Sequence, residues 1–445
     1  MSSETPPGPD GVPVLGNAIE SIRSPMEFRK ECIQSFDDGI VSINLAGTTM
    51  YMLTDPDYIE QVLVTGDEHF IKPAEMRDQL VGVFGQGLLL SENEFWREQR
   101  NTINPAFYPE KIQSYTDTMS EFTQRLIDGW DDQETFNIRW EMDRLALQIV
   151  MKTLFGVDFY GNEADILTPI KQINKRYTPS NISSHLPAWA PTGPNRAYQE
   201  GKAALAKQVE QLIQDHRALD DRPDNLLTTL IEATDDEDHQ MTPEVLRDEI
   251  TTVALGASGP VGLALTYTWY LLSQDDVASR KLLDEAEEVL GGDPATLEDM
   301  SELTYTEKVI NESLRLYPPV WSVLREPEID VEIGDYDVPE GTPLSMTPWA
   351  IHRNDDYFEA PDEFRPERWD GGLEEELPDY AYIPFGAGPR TCIGKRFALT
   401  EMTLAIPTIF QQYEIDYVPD DPMEFSVAHI LEPAGDVEMT VRKRE

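Results

Sequence analysis

The sequence predicts a mainly α protein with a minor β portion. Segments 115–130, 140–155 and 196–216 repeat apolar residues at steps of three and four, which is the period of an amphipathic helix. Polar or proline-containing joints separate these segments. After Pro318 the helical period gives way to short alternating runs and turn residues, which indicate strands.

Local patterns place a hairpin early in the chain and a helix boundary near its middle. The alternating runs IVSINLAG and TMYMLTD predict a hairpin with Gly47 and Thr48 near its turn. The acidic run at 234–240 predicts a surface loop, and Thr242 followed by Pro243 predicts a helix start. The run VEIGDYDVPEGTPL predicts further short strands in the second half of the chain.

The charge of the chain is unusual. Its 83 acidic residues against 35 basic ones give a formal charge of −48 and a pI near 4.3. Such a field repels nucleic acid and anionic lipid, so we expect no nucleic-acid partner. Self-repulsion destabilises a compact acidic protein in dilute buffer, whereas about 1 M salt shortens the screening length to roughly 3 Å. We therefore expect a salt-adapted protein from a halophile, and an acidic protein from an ordinary cell is the open alternative.

Cysteine usage and the first residues suggest a compartment. With only Cys32 and Cys392 the chain builds no disulfide framework, which is typical of a reducing compartment. The start MSSETPPGPDGVPVLGN has no basic leader followed by an apolar core. We expect a soluble cytoplasmic protein without a secretory signal or a membrane anchor.

One internal stretch is long enough to cross a bilayer. Residues 250–274 carry no charged side chain, and the acidic residues Asp248, Glu249, Asp275 and Asp276 flank them. Lys and Arg do not flank the stretch on both sides, and glycines and a proline interrupt it. We interpret it as a buried central helix.

The strongest chemical signal is the segment FGAGPRTCIGKRFALTE at 385–401, which presents Cys392 just before an apolar-periodic helix. The positive end of a helix dipole and nearby backbone N–H groups lower the pKa of a thiol, so this cysteine can bind a metal as a thiolate. Glycines remove side chains where backbone approaches a flat cofactor, and Pro389 stiffens the loop. The glycines are Gly386, Gly388 and Gly394. An inert buried cysteine after a turn is the alternative.

Here the sequence resembles the cytochrome P450 family. The matching residues are Phe385, Gly388, Arg390, Cys392 and Gly394. The resemblance implies heme b with Cys392 as the axial ligand of its iron, a long central helix over the heme and the cysteine loop beneath it. It also implies that Phe385 shields the sulfur and that Gly386 and Ala398 lie against the cofactor.

Two further segments carry the resemblance. ESLR at 312–315 is similar to the family's Glu-x-x-Arg, and FRPERW at 364–369 is similar to its downstream segment. Glu312 and Arg315 are one helical turn apart, and Arg368 can complete a buried carboxylate–guanidinium cluster behind the heme. The matches run from about residue 8 to 435, so we expect a proline-rich lead over 1–24 and a single catalytic domain over 25–445 without a fused reductase.

Heme propionates are anions that need fixed donors. Trp96 and Arg100, in FWREQR, resemble the family's heme-edge helix, and Arg325 resembles its second propionate arginine. Arg390 lies two residues before Cys392, and each of these arginines could instead be a solvated surface residue. His352 is interpreted as a structural or surface histidine.

The central helix departs from the family pattern. An acid and a threonine relay protons there, but GASGPV places Gly259 at the acid position and Pro260 at the threonine position. Pro260 cannot donate to the Gly256 carbonyl, so we expect a local opening of the helix. The Gly256 carbonyl, the Ser258 hydroxyl and a water could offer a substitute proton route. Alternatively, the kink only shapes the pocket.

The first functional hypothesis is a monooxygenase that acts on an apolar or amphipathic small molecule with electrons from a separate ferredoxin and its reductase. The basic pair Lys395 and Arg396 could receive that donor, or it is a solvated helix face. Segments 73–90, 255–262, 320–323 and 427–431 are apolar and are expected to contact the substrate. The alternatives are a peroxide-dependent peroxygenase, a heme-thiolate isomerase or dehydratase, and a heme-based sensor.

Overall fold

The computed structural model describes residues 5–177, 186–236 and 241–444. The α-helices of these residues are α1 Ala18–Arg23, α2 Pro25–Ser35, α3 Pro56–Glu60, α4 Ala74–Phe84, α5 Asn93–Ile103, α6 Pro109–Gln113, α7 Thr116–Ile127, α8 Ile138–Thr153, α9 Ala164–Tyr177, α10 Gly193–Arg217, α11 Leu226–Asp235, α12 Pro243–Ser273, α13 Asp276–Leu290, α14 Thr304–Leu316, α15 Pro348–Ile351, α16 Leu373–Glu376 and α17 Lys395–Phe410.

Short strands supply the β portion. They are β1 Ile40–Leu45, β2 Thr48–Leu53, β3 Phe70–Ile71, β4 Thr135–Asn137, β5 Val323–Pro327, β6 Val331–Ile333, β7 Tyr336–Val338, β8 Leu344–Met346, β9 Tyr413–Tyr417, β10 Phe425–Val427, β11 Leu431–Pro433 and β12 Glu438–Lys443. About 54% of the residues are helical and 12% are in strands, so the predicted mainly α class is confirmed.

The predicted elements agree with the structure at most boundaries. The three periodic segments correspond to α7, α8 and α10. The early hairpin pairs Leu45 with Thr48, and its two turn residues, Ala46 and Gly47, have φ of 54° and 100°. Such a pair of positive φ angles matches the twist of a tight hairpin. Part of the predicted acidic loop, 237–240, lies outside the described residues.

The chain divides into two compact units. The first, here the sheet unit, comprises Met1–Gln79, Asn311–Cys392 and His429–Leu431. It contains a five-stranded sheet in the order β1-β2-β8-β5-β3, in which β2 and β8 are parallel and the other neighbours are antiparallel. The described part of the predicted lead joins this sheet, because the Ser42 N–H donates to the Pro7 carbonyl at 2.7 Å.

The second, here the helical unit, comprises Leu80–Ile310, Ile393–Ala428 and Glu432–Glu445. Its α12 packs against α8, and α9 packs against α10. Gly262 allows the first contact, since a Cβ at this position would overlap the Asp143 carboxylate. A small sheet in the order β4-β12-β9 completes the unit.

Helix α12 is the predicted central helix. The Thr242 hydroxyl caps it by accepting the Val245 N–H at 3.3 Å, and Pro243 occupies its first turn. Among the described residues it is the one helix with the length and composition to cross a membrane, and 72% of its most apolar window is buried inside the protein. Core helices of soluble proteins share this property.

The flanks of this helix differ from the sequence interpretation. Asp248 and Glu249, taken as residues outside it, lie one and a half turns within it, and Glu249 is fully buried. The cap at Thr242 and Pro243 fixes the true start. The apolar stretch therefore begins inside a longer helix.

Candidate functional site

The loop that carries Cys392 is a tight turn of backbone. The Cys392 N–H donates to the Phe385 carbonyl at 2.9 Å, which closes the loop. Gly386 and Gly388 have φ of 70° and 68°, a region that L side chains rarely adopt. A Cβ at Gly388 would overlap the Leu63 carbonyl oxygen, whereas a Cβ at Gly386 would meet nothing within 4 Å. Gly388 is thus required for packing, and Gly386 adjoins open space.

The two cysteines have opposite environments. Cys392 is exposed, and Cys32 is buried in α2. Burial raises the pKa of the Cys32 thiol to about 11, against a smaller opposite effect of Arg29. A thiol that stays protonated is a poor metal ligand, so Cys392 is the better thiolate candidate.

A helix follows Cys392, as the sequence predicts. Gly394 is the N-cap of α17 with φ of −87°, and its carbonyl accepts the Ala398 N–H at 2.8 Å. Ala398 is buried. Lys395 and Arg396 in the first turn are exposed.

Glu312 is the centre of a buried ion cluster in the sheet unit. Both Glu312 and Arg315 are 0% exposed, and Arg315 donates Nε and Nη2 to the two carboxylate oxygens at 2.8 and 2.7 Å. Arg368 Nε and the Arg365 N–H donate to Oε1 at 3.2 and 3.0 Å, and Trp369 Nε1 donates to Oε2 at 3.0 Å. The structure therefore brings Glu312, Arg315 and Arg368 together, with five donors on one carboxylate.

The same cluster fixes the backbone ahead of the cysteine loop. Arg315 also donates to the carbonyls of His352, Pro361 and Glu363, at 2.8, 2.7 and 3.1 Å. The buried His352 accepts the Ile383 N–H on Nε2 at 2.9 Å. Burial, reinforced by Arg315, holds the pKa of His352 well below its ordinary value, so it is a neutral structural residue. The cluster thus orients the chain two residues before Phe385.

The expected propionate residues lie on three elements. Arg325 is buried on β5, where its Nη1 donates to the Leu324 carbonyl at 2.8 Å, and Arg390 is half-buried in the cysteine loop. Trp96 is buried and Arg100 half-buried on α5, one turn apart on one face of the helix. Partly buried guanidinium groups are suited to fixing anions.

The segments expected to contact the substrate lie on different helices, strands and connections. Segment 73–90 forms α4 and the loop after it, and 255–262 lies in α12. Segment 320–323 leads into β5, and 427–431 joins β10 to β11.

The segment of α12 that differs from the family pattern, residues 256–260, has open space on one side. Gly256 is exposed and Gly259 and Pro260 are half-buried, and a Cβ on either glycine would meet nothing within 4 Å. The helix runs through Pro260 without a break. The expected opening is therefore confined to the Gly256 carbonyl, because Pro260 has no N–H to donate to it.

Ser258 does not belong to that open side. It is 1% exposed, and its hydroxyl donates to the Ala254 carbonyl at 2.6 Å. Helical geometry places Ser258 about 200° from Gly256 around the axis. The substitute proton route expected to include Ser258 is therefore not supported by its geometry.

Sequence reasoning missed a polar group on this helix. Glu249 Oε2 accepts the Leu88 N–H at 3.1 Å, and burial raises the pKa of Glu249 to about 8. The sequence could have revealed Glu249 through its spacing from Pro260. Glu249 precedes Pro260 by three helical turns and therefore lies on the same face of the helix.

Comparison with known proteins identifies the family. The family model for cytochrome P450 matches residues 6–439. The chain belongs to the cytochrome P450 family.

Several curated relatives of this P450 come from Streptomyces. A cyclooctat-9-en-7-ol 5-monooxygenase of Streptomyces melanosporofaciens is 31% identical over 92% of this chain and 89% of the relative. A cyclooctatin synthase of the same organism is 29% identical over 92% and 90%. A pentalenene oxygenase of Streptomyces avermitilis is 28% identical over 96% and 94%.

Family membership makes this P450 an oxidoreductase and implies a heme-iron cofactor. The residues present fit that group. An exposed thiol projects from a loop with open space beside Gly386, and soft thiolates suit iron in heme. Arg325, a buried cation of the same unit as Cys392, is of a type that suits a propionate.

Proposed function

We propose that this P450 is a monooxygenase that inserts one oxygen atom from dioxygen into an apolar or amphipathic small molecule. The observation that carries the proposal is the exposed Cys392 on the P450 cysteine loop, in a chain matched over 6–439. Relatives named as a monooxygenase and an oxygenase support the reaction type. The open side of α12 at Gly256 and Gly259 leaves space for an apolar substrate.

The cofactor of the proposal is heme b. Cys392 would bind its iron, the loop glycines would admit the ring, and Arg100, Arg325 and Arg390 would bind the propionates. A thiolate-bound heme supplies the electron density that favours cleavage of the O–O bond. The chain's own part is to orient the sulfur, for which the Glu312 cluster holds the preceding backbone.

The electron donor is proposed to be a separate ferredoxin with its reductase. Lys395 and Arg396 are exposed in the first turn of α17, a basic spot on a protein of charge −48. An acidic carrier would be attracted there. We place the protein in the cytoplasm of a halophile, supported by the acidic composition and by two cysteines that form no disulfide.

A carbon monoxide difference spectrum of the reduced protein tests the heme-thiolate centre. Wild type should give the red-shifted thiolate band, Cys392→Ser should lose it, and Cys32→Ser should keep it. A band that survives in Cys392→Ser would assign the ligand elsewhere and refute the proposal.

A second candidate is a peroxide-dependent peroxygenase, favoured by Gly259 and Pro260 in place of acid and threonine. A site without proton donors wastes electrons as peroxide, whereas peroxide already contains the reduced O–O bond. Turnover with a ferredoxin chain is compared with turnover with peroxide on one substrate. Product from peroxide alone supports the peroxygenase, and product from neither oxidant favours an isomerase or dehydratase.

A further inference from the structure

Three polar groups occupy one face of α12 ahead of the missing acid and threonine. Glu249, Thr252 and Gly256 follow each other at intervals of three and four residues. Helical geometry places them and Pro260 within an arc of about 80° around the axis. Along the axis the intervals are about 4.5 and 6 Å, which one water molecule can bridge.

Glu249 is the first of these groups. Its carboxyl is 0% exposed, with Oε2 accepting the Leu88 N–H and Oε1 without a partner in the described residues. Burial, with a smaller contribution from Asp248, raises its pKa to about 8 against the effect of the Leu88 N–H. The group is therefore a neutral acid at pH 7, and its proton is available on Oε1.

The hydroxyl of Thr252 differs from other buried hydroxyls of the same helix. Ser258, Thr266 and Thr268 each donate to the carbonyl four residues earlier, at 2.6, 2.7 and 2.9 Å. Thr252 is also buried, but its Oγ1 has no partner in the part of the chain that the structure describes. A hydroxyl that both donates and accepts can pass a proton on.

The third group is the Gly256 carbonyl. Pro260 has no N–H, so this carbonyl lacks its helical donor and can hold a water molecule. Gly256 is exposed, and space is open beside it. The face thus runs from a buried acid through a hydroxyl to an acceptor at the open side.

A loop covers the face of α12 at the end where Glu249 and Thr252 lie. Asp248 Oδ2 accepts the Gln86 N–H at 2.8 Å, and Gln99 Nε2 donates to the Gln86 carbonyl at 2.8 Å. A Cβ at Gly87 would overlap the Thr252 hydroxyl, so backbone lies directly against it. Asp248, the residue before Glu249, is half-buried and therefore reaches solvent.

We propose that Glu249 donates protons for the oxidation and that Thr252 carries them along α12 to water held by the Gly256 carbonyl. The inference rests on the proposed monooxygenase function. One proton leaves Glu249 Oε1 and reaches the Thr252 oxygen through a bridging water, and the hydroxyl releases its own proton to the water at the Gly256 carbonyl. The resulting carboxylate regains a proton from solvent beside Asp248. These steps move no electrons, which come from the proposed ferredoxin.

Glu249→Gln separates proton donation from loop anchoring. The amide oxygen can still accept the Leu88 N–H, but the side chain has no acidic proton. We expect at least a tenfold loss in the fraction of electrons recovered as product, since general acids contribute about 10²- to 10⁴-fold, and a changed solvent isotope effect. Thr252→Val should lose coupling similarly. Thr251→Val is the matched control, because Thr251 is a buried neighbour that lies about 100° around the helix.

Infrared spectroscopy gives a readout independent of turnover. At pH 7 the protein should show a buried carboxylic acid C=O band that Glu249→Gln loses and Thr251→Val retains. Glu401→Gln is the reference, because Glu401 is a second fully buried carboxyl with a raised pKa and should account for a different band.

The outcomes separate the two proposals. If wild type makes product and Glu249→Gln couples equally well or keeps every acid band, the Glu249 proposal is refuted alone. Equal losses in Thr251→Val and Thr252→Val would refute it as well, because helix packing would then explain both. Wild type that consumes electrons without any product refutes both the relay and the monooxygenase function.

Discussion

Arg315→Ala should be among the most destabilising substitutions in the sheet unit. The change removes two of the five donors to Glu312, which remains buried with a charge. It also removes the donors to three carbonyls between His352 and Glu363. Breaking a buried pair from one side costs about 3–5 kcal/mol, so we expect a loss of that size in the free energy of unfolding.

The chain offers a control with the same spacing. Glu94 and Arg97 are also three residues apart on a helix, at 3.4 Å, but their side chains are 84% and 52% exposed. Arg97→Ala should therefore cost less than about 1 kcal/mol. Arg315→Lys keeps the charge but loses the two-pronged guanidinium, so its loss should fall between the two.

Urea unfolding followed by tryptophan fluorescence and circular dichroism measures these differences, and coincident transitions justify a two-state treatment. Heme content per protein is measured in parallel, since the cluster orients the cysteine loop. Equal losses for Arg315→Ala and Arg97→Ala would refute the argument, because burial would then make no difference to the pair.

Three further predictions follow from the structure. Gly388→Ala should destabilise the protein and reduce heme content more than Gly386→Ala. Both glycines have φ near 70°, but only at Gly388 would an added Cβ overlap the Leu63 carbonyl oxygen. The unfolding midpoints and heme contents of the two variants test this prediction. Burial raises the pKa of Glu401 from 4.5 to about 8, so stability should fall by up to about 5 kcal/mol as pH rises through that window. Glu401→Gln should flatten this slope in urea titrations at several pH values. The proposed salt adaptation predicts a higher unfolding midpoint in molar KCl than in dilute buffer, and an equal or lower one would contradict it.

The sequence predicted those parts of the fold that repeat a period or a local motif. Helix α12 could be recognised because its apolar stretch is long, and the hairpin because Gly47 marks its turn. The start of α12 at Thr242 and Pro243 was predicted, but its continuation through Asp248 and Glu249 into the apolar stretch was missed, because these two residues look like a polar flank. Charge usually marks exposure, and only the folded structure shows that Glu249 is buried and accepts the Leu88 N–H.

The candidate site was predictable where chemistry depends on local spacing. The Glu312 and Arg315 pair, one turn apart, follows from helical geometry, but its three carbonyl acceptors come from residues 37 to 48 positions later. The orientation of Ser258 was not predictable in the same way. A hydroxyl near a proline looks available in a sequence, yet this one is bonded to Ala254 on the packed side of the helix.

Three fully buried carboxyls among the described residues have different chemical capacities. Glu312 accepts five donors, so its oxygens are committed to holding the backbone. Glu401 has a raised pKa, but neither of its oxygens has a partner in the described residues, so no contact links it to a backbone or side-chain group. Glu249 combines a retained proton with Thr252 one turn away and an accessible Asp248 beside it. A proton route requires an acid, a neighbouring hydroxyl and a way for a proton to return from solvent to the acid. We therefore assign the route to Glu249 and not to Glu401.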